Sequence, residues 1–275
     1  MLIAHKVIDA LLGLDKTLTL MSIPGVTIEH KQSAAAKIRE AEKFDFGELI
    51  LEPNPNVTGS WRLPELTIDE WQFWKDGLIP LPAPICWYEV VINGFRSAVL
   101  IYQRDSVICT ERFDLVRNEV LFDAIVTTAD RNAVKPGLKW DTFIEGNTEF
   151  INKMSRDHTF IQNHLLMNIP LVVYLTLMIN SKTTEIRSDT PSEKLNKSRI
   201  GRRVTPLAAH RIVTIVPNRF RHQAGSSMEN RRSPRLHWRR SHLRHYASGK
   251  MAVIPRMLVG KSELGEVSHE YKVKQ

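Results

Sequence analysis

Apolar residues recur at helical spacing in two segments near the start of the chain. Residues 2–14 place their apolar side chains on one helical face. A second stripe of the same period begins after Ser33, a good N-cap residue, and continues through Phe44. These patterns predict two amphipathic helices and a helical N-terminal region over residues 1–60.

The alternation of polar and apolar residues that is typical of β-strands is clearest over residues 85–110. There the runs ICWYEVVI and FRSAVLIYQ flank Asn93 and Gly94, which tolerate positive φ and favour a hairpin turn. SVICT predicts a third strand, and residues 119–128 predict a fourth. The short turns between successive strands indicate an antiparallel meander.

Helical character returns after the meander. Residues 148–165 predict a helix, and Pro170 breaks or kinks the apolar run that follows. We assign residues 61–180 to an α+β body that contains the central antiparallel sheet and these late helices. Inside the same body, a capping box formed by Thr67 and Glu70 predicts the start of a shorter helix.

The last third of the chain differs from the rest in charge. Residues 181–275 contain 21 Lys and Arg against 7 Asp and Glu, whereas residues 1–180 contain 17 against 23. The polar stretch over 181–230 predicts a linker or extended arm with one candidate strand, RIVTIV. Residues 231–275 predict a basic, β-rich C-terminal module. Such charge asymmetry favours a surface that binds a polyanion or an acidic partner.

The composition disfavours several classes of protein. Cys86 and Cys109, the only cysteines, lie in apolar runs and predict buried free thiols rather than a disulfide framework or a zinc site. The sequence has no phosphate loop, dinucleotide-binding glycine pattern or nucleophile elbow, so we predict no cofactor and no metal. The longest apolar run, residues 165–179, is too short to span a membrane, which favours a cytoplasmic protein.

The strongest candidate for a binding site is the basic stretch 231–250. It contains seven Lys and Arg, three His, one Trp, one Tyr and no acid. Arginine pairs bidentately with phosphate or carboxylate, aromatic rings stack on bases, and histidine adds hydrogen bonds and a proton that moves near neutral pH. The predicted binding residues are Arg235, His237, Trp238, Arg239, Arg240, His242, Arg244 and Tyr246.

Three interpretations of this stretch are open. The first is binding of RNA or of an acidic protein partner. The second is a structural cluster that folds against the acidic residues 1–180. The third is catalysis, in which His237 and His242 act as acid and base in a metal-independent ribonuclease. A DNA-binding regulator is disfavoured, because Pro234 and Gly249 bound the basic run and no helix-turn-helix pattern is present.

The spacing within the basic stretch also carries a resemblance. Its spaced positions are Arg235, His237, Arg239, Arg240, His242, Tyr246 and Gly249. Together with the short β-rich end, this pattern resembles the C-terminal part of the second class of type V-A anti-CRISPR proteins, a phage and plasmid family. Residues 81–92, 169–181 and 195–206 resemble that family's central strand, late helix and linker, in the same order.

The resemblance implies a counter-defence protein of a phage or mobile element that lowers production of the type V effector nuclease. It is similar to inhibitors that recognise the effector's nascent N-terminal polypeptide and cause loss of the message being translated. The implied partners are therefore a nascent polypeptide, its mRNA or the ribosome, and the implied protein is a binder rather than an enzyme. Leu236 stands where the family usually has proline, and Ser241 where it usually has glycine.

Overall fold

A computed structural model of the chain describes most of its residues. The described ranges are 3–22, 26–49, 52–53, 61–62, 66, 68–92, 94–130, 142–145, 158–181, 183–215, 235–239, 241–245, 251–254 and 256–266. The helices within them are α1 (Ala4–Leu11), α2 (Ile28–Glu40), α3 (Ile68–Lys75), α4 (His158–Ile179) and α5 (Glu193–Gly201).

The strands form one large sheet and three small ones. The large sheet contains β1 (Thr19–Ser22), β2 (Glu42–Glu48), β5 (Ile85–Ile92), β6 (Phe95–Arg104), β7 (Val107–Val116), β8 (Glu119–Asp130), β9 (Thr142–Glu145), β10 (Thr184–Asp189) and β11 (His210–Ile215). The small sheets contain β3 (Glu52–Pro53), β4 (Trp61–Arg62), β12 (Arg235–Arg239), β13 (His242–His245), β14 (Met251–Ile254), β15 (Met257–Val259) and β16 (Lys261–Glu266).

The predicted meander forms the centre of the large sheet. Strands β5 to β8 pair antiparallel in sequence order, and Gly94 takes φ +79° in the first hairpin turn. Further strands extend the sheet on both sides. On one side β1 pairs parallel with β8. On the other side β2 pairs parallel with β5 and β11 pairs parallel with β2, and β10 is the edge strand, antiparallel to β11. The α+β fold class is confirmed, and the complete sheet is mixed.

Both faces of the sheet are covered. On one face, α4 packs with Trp74 against a cluster that includes Tyr88 and Ile101. On the other face, α1 and α2 pack against Trp87 and Phe113. Successive residues of a strand point to opposite faces, so the mainly apolar, buried residues of β5 supply both cores. Cys86 and Cys109 are buried thiols that are not joined in a disulfide, and burial raises the pKa of the Cys86 thiol to about 12.

A buried carboxylate fixes the start of α1. Glu89 Oε1 accepts hydrogen bonds from the amides of Ile3 and Ala4 at 2.8 and 3.0 Å and from Trp87 Nε1 at 2.6 Å. These amides belong to the first turn, where a helix has no internal acceptors for its N–H groups. Burial raises the pKa of Glu89 to about 7. The first helix therefore docks on the sheet through an acid whose charge is costly to bury.

The second helix begins earlier than its apolar stripe indicates, so the prediction that Ser33 is its N-cap was wrong. Thr27 is the N-cap: its hydroxyl accepts from the amide of His30, whose ring accepts from the amide of Thr27. The helix ends at Glu40, and Phe44 lies in β2 instead. The phenylalanines of β2 pack in the cluster that contains Trp74 and Tyr88, called the first core below. Their burial in the sheet outweighs the local preference for a helix that the periodicity indicated.

Residues 184–215 form part of the large sheet, where the sequence predicted a linker or arm. Strand β10, helix α5 and strand β11 follow one another, and β11 confirms the strand predicted from RIVTIV. Most side chains of β10 are exposed because it is an edge strand, and its polar sequence reflects that position. The division into four regions stays a prediction. Within the described ranges, no helix is long and apolar enough to cross a membrane.

Candidate binding site in the C-terminal strands

The predicted binding residues lie on two short strands of the C-terminal region. Strand β12 is the centre of a three-stranded sheet, antiparallel to β15 and parallel to β16. Strand β13 pairs antiparallel with β14. Residues 235–239 and 242–245 are therefore held in extended conformation by pairing with strands that follow them in the chain.

Alternate residues of β12 present two arginines and a histidine on one face. Arg235, His237 and Arg239 share that face because the side-chain period of a strand is two. The two arginines are exposed and the histidine is half-buried. His237 Nδ1 lies 2.8 Å from the backbone carbonyl of Arg235, so this ring nitrogen carries the proton and donates. This face of β12 is called the basic face below.

The two faces of strand β13 differ: one carries basic residues and the other packs on the core. His242 and Arg244 share one face of the strand, with Arg244 exposed and His242 half-buried. Leu243 points to the opposite face and packs against the first core, as does its pairing partner Val253. The apolar side of β13 thus attaches the strand to the body of the protein.

Three of the predicted binding residues are described only in part or not at all. The backbone of Trp238 pairs with Leu258 in β12, but its side chain lies outside what the structure describes. Arg240 and Tyr246 lie outside the described residues altogether. The structure therefore brings together Arg235, His237 and Arg239 on β12, and His242 and Arg244 on β13.

A buried ion pair joins the C-terminal strands to the body. Glu70 of α3 accepts hydrogen bonds on Oε1 from Ser241 Oγ at 2.8 Å and from Arg256 Nε at 3.0 Å. Its Oε2 accepts from Arg256 Nη2 at 2.8 Å, which makes the arginine contact bidentate. All three side chains are buried, and Glu70 is 0% exposed. Glu70, Ser241 and Arg256 are called the buried lock below.

The buried lock bears on the second interpretation of the basic stretch. A cation of the C-terminal region does fold against an acid of the body, but this cation is Arg256, outside residues 231–250. Its guanidinium also lies 5.6 Å from the centre of the Tyr174 ring, in cation–π geometry. Arg235, Arg239 and Arg244 are exposed. The body therefore holds the strands through the buried lock and leaves these arginines on the surface.

A glycine permits the close packing of β12. Gly260, between β15 and β16, has φ +110°, and a Cβ built on it would lie 2.1 Å from the carbonyl oxygen of Arg235. The obstructing atom belongs to the backbone, so no side-chain movement relieves the contact. Gly260 is thus required for the strand that carries the basic face.

The geometry does not add a catalytic centre to the basic face. His237 and His242 lie on different strands, and one ring nitrogen of His237 already contacts its own strand. Among the described residues there is no group of three or more His, Cys, Asp or Glu side chains that would hold a metal ion. The ribonuclease hypothesis stays a prediction.

Comparison with known proteins places the chain in a family. Residues 108–264 match the model of the anti-CRISPR type V subtype A2 family, which covers more than half of the chain. The chain belongs to this family. The match runs from β7 through β16, and so includes the basic face, Ser241, Arg256 and Gly260. No curated protein and no solved structure matches the chain significantly.

Sequence reasoning missed the residues that join the basic strands of this chain to its body. Glu70 was predicted to cap α3, and Thr67, its predicted partner, lies outside the described residues. One signal was present: Arg256 is the single charge in the apolar run MAVIPRMLV, which indicates a buried, paired cation. Its partner is 186 residues away and could not be identified from the sequence.

Proposed function

We propose that this anti-CRISPR protein lowers production of a type V effector nuclease by binding the nascent effector polypeptide together with its message. Membership in the anti-CRISPR type V subtype A2 family assigns it to counter-defence. In the proposed mechanism, the basic face and Arg244 contact RNA phosphates, while the acidic body contacts the polypeptide. The observation that carries the proposal is the exposure of Arg235 and Arg239 on β12, a strand that is followed along the chain by Ser241 of the buried lock.

The geometry of β12 suits a phosphate backbone. Arg235 and Arg239 are four residues apart on an extended strand, so their Cα atoms are separated by about 13 Å. His237 lies midway between them on the same face. A guanidinium has five donors in a planar fork, which suits bidentate contact with a phosphate. An extended row of such groups can contact several phosphates of one strand.

The proposal predicts a moderate dependence of RNA binding on salt. If Arg235, Arg239 and Arg244 each neutralise one phosphate of single-stranded RNA, the slope of log K against log salt is about −2. Removing Arg235 and Arg239 together should reduce the magnitude of that slope by about 1.4. Filter binding to the 5′ part of the effector message, at several salt concentrations, measures both values.

A cell assay tests the proposed function. The chain is co-expressed with a type V effector nuclease, and effector protein and message are both followed. We expect wild type to lower both, and the double variant Arg235→Ala, Arg239→Ala to restore them. The matched control is Arg202→Ala, Arg203→Ala, which removes the same charge from two exposed residues after α5. Equal loss of activity in both variants would contradict a specific role for the basic face.

Purified protein distinguishes this proposal from the ribonuclease hypothesis. The proposed binder leaves a naked effector message intact when no ribosomes are present. A ribonuclease would cut that RNA without added metal and would lose cutting on His237→Ala. Cleavage that disappears in this variant would replace the binding mechanism.

A further inference from the structure

A cavity of about 610 Å³ lies far along the chain from the C-terminal strands. Its walls come from α1, the end of α2, the start of β2 and the segment that runs from the end of β10 to the start of β11. Asp9 holds these walls together: its carboxylate accepts from Arg199 Nη2 at 3.1 Å and from the amide of Thr205 at 2.7 Å. The volume is within the range of roughly 300–1,000 Å³ usual for small-molecule sites.

Two polar atoms in the cavity wall are buried without a hydrogen-bond partner. They are Thr205 Oγ1 and His210 Nδ1. Thr205 is 8% exposed, and the side chain of His210 is 9% exposed. Leaving such a group unsatisfied costs its full desolvation penalty, so buried polar atoms rarely lack partners. The pair indicates a ligand that supplies polar atoms inside the cavity.

The cavity also contains a buried cation. Lys43 is 4% exposed, and its Nζ donates to the carbonyls of Ala41 at 2.7 Å and Arg39 at 3.3 Å. An ammonium group has three donors, so one N–H is available to an occupant. Burial lowers the pKa of Lys43 to about 8, which leaves the amine largely protonated at neutral pH. The acid that acts electrostatically on Lys43 is Glu89, which raises the Lys43 pKa against the effect of burial. Its Oε1 accepts from the amides of Ile3 and Ala4 and from Trp87 Nε1, while Lys43 donates to carbonyl oxygens that carry no full negative charge. An anion beside Lys43 would therefore be stabilised.

The wall of the cavity also includes two further charged side chains and two histidines. Arg39 is exposed at the rim, and Asp189, which is 58% exposed, lies 3.7 Å from His210 Nε2. The ring of His5 is buried, and burial together with the nearby Arg199 lowers its pKa to about 4, so it is neutral. The other lining residues are mainly apolar: Ala4, Ile8, Pro191, Leu195, Pro206, Leu207 and Ala208.

We propose that this cavity binds a small organic acid, with its carboxylate at Lys43, its polar atoms at Thr205 and His210, and its apolar body against the aliphatic wall. A single buried ammonium suits a monoanion better than a nucleotide, whose phosphates require several donors. The cavity shares no lining residue with the basic face. Ligand binding in this cavity can therefore be tested separately from RNA binding by the basic face.

Decanoate and decanol are the probes, titrated into the full-length protein by isothermal calorimetry. Decanoate should bind, and decanol, which has the same chain length and no charge, should bind at least tenfold more weakly. No decanoate binding, or equal affinity for the two probes, would overturn the proposal. This comparison needs no substitution and is unaffected by variants that fail to fold.

Variants then locate the site. Lys43→Met removes the charge and should weaken decanoate binding at least tenfold, and Ala208→Phe should abolish it by filling the cavity. Lys197→Met is the matched control, because Lys197 lies on α5 with its side chain 79% exposed and does not line the cavity. Circular dichroism establishes that each variant is folded. Decanoate binding that persists unchanged in folded Lys43→Met and Ala208→Phe would assign the ligand to another site.

Discussion

The buried lock should be among the most sensitive points of the molecule. Glu70→Ala leaves the guanidinium of Arg256, in a residue only 6% exposed, without its carboxylate. Removing one partner of a buried ion pair costs about 3–5 kcal/mol, because the remaining charge is desolvated and unpaired. Ser241→Ala removes a single hydrogen bond to the same carboxylate and should cost about 1–3 kcal/mol.

Urea denaturation followed by tryptophan fluorescence measures these losses. The double variant Glu70→Met, Arg256→Met removes both charges together and should be much less destabilised than Glu70→Ala alone. Glu193→Ala serves as the control, because Glu193 pairs with Lys197 while 91% exposed, and such pairs contribute little. Two results would contradict this role of the ion pair: a loss of stability in Glu70→Ala no larger than that in Glu193→Ala, or a loss in the double variant as large as that in Glu70→Ala.

Two further predictions concern the backbone and pH. Gly260→Ala should displace β12 and abolish activity in the effector assay, whereas Gly13→Ala, with φ +64° but open space around its Cβ, should cost only about 1–2 kcal/mol and keep activity. A folded Gly260→Ala protein with normal activity contradicts this. The pKa of His5 is about 4 in the folded protein against an ordinary 6.5, so the folded state binds fewer protons at this site than the unfolded chain. The free energy of unfolding is therefore unaffected above pH 6.5 and falls by roughly 3 kcal/mol as pH is lowered to 4. Glu89 has the opposite sign: its pKa is raised to about 7 from 4.5, so the folded state binds the extra proton and loses stability as pH rises from 4.5 to 7. The free energy of unfolding of His5→Asn, relative to wild type, should therefore rise as pH falls, whereas that of Glu89→Gln should rise as pH rises. The same pH trend in both variants would contradict one of the two pKa directions.

Elements with strong local patterns were predictable from the sequence. The meander from β5 to β8 follows from alternation and from turn residues such as Asn93 and Gly94, because neighbouring strands are joined by short turns. The first helix follows from its apolar stripe, and β11 from its β-branched run. In each of these elements the local preference and the tertiary packing agree.

Long-range pairing was not predictable in the same way. The parallel pairing of β2 with β5 and β11 joins segments distant in the chain, and nothing local selects the partner. Phe44 illustrates the difficulty, since it continues a helical stripe and yet belongs to a strand. The pairing in the buried lock is harder still to predict, because Glu70 and Arg256 are far apart in the sequence and are adjacent only in the folded protein.

The basic face is proposed to act on effector production during translation. A reconstituted translation system programmed with the effector message, and with an unrelated message as reference, tests this most directly. The measured quantity is the yield of each polypeptide per molecule of message, with wild-type protein and with the Arg235→Ala, Arg239→Ala variant. We predict that wild type lowers the effector yield alone and that the variant does not. Effector yield that is unchanged by wild type, or lowered equally by the variant, would contradict the claim.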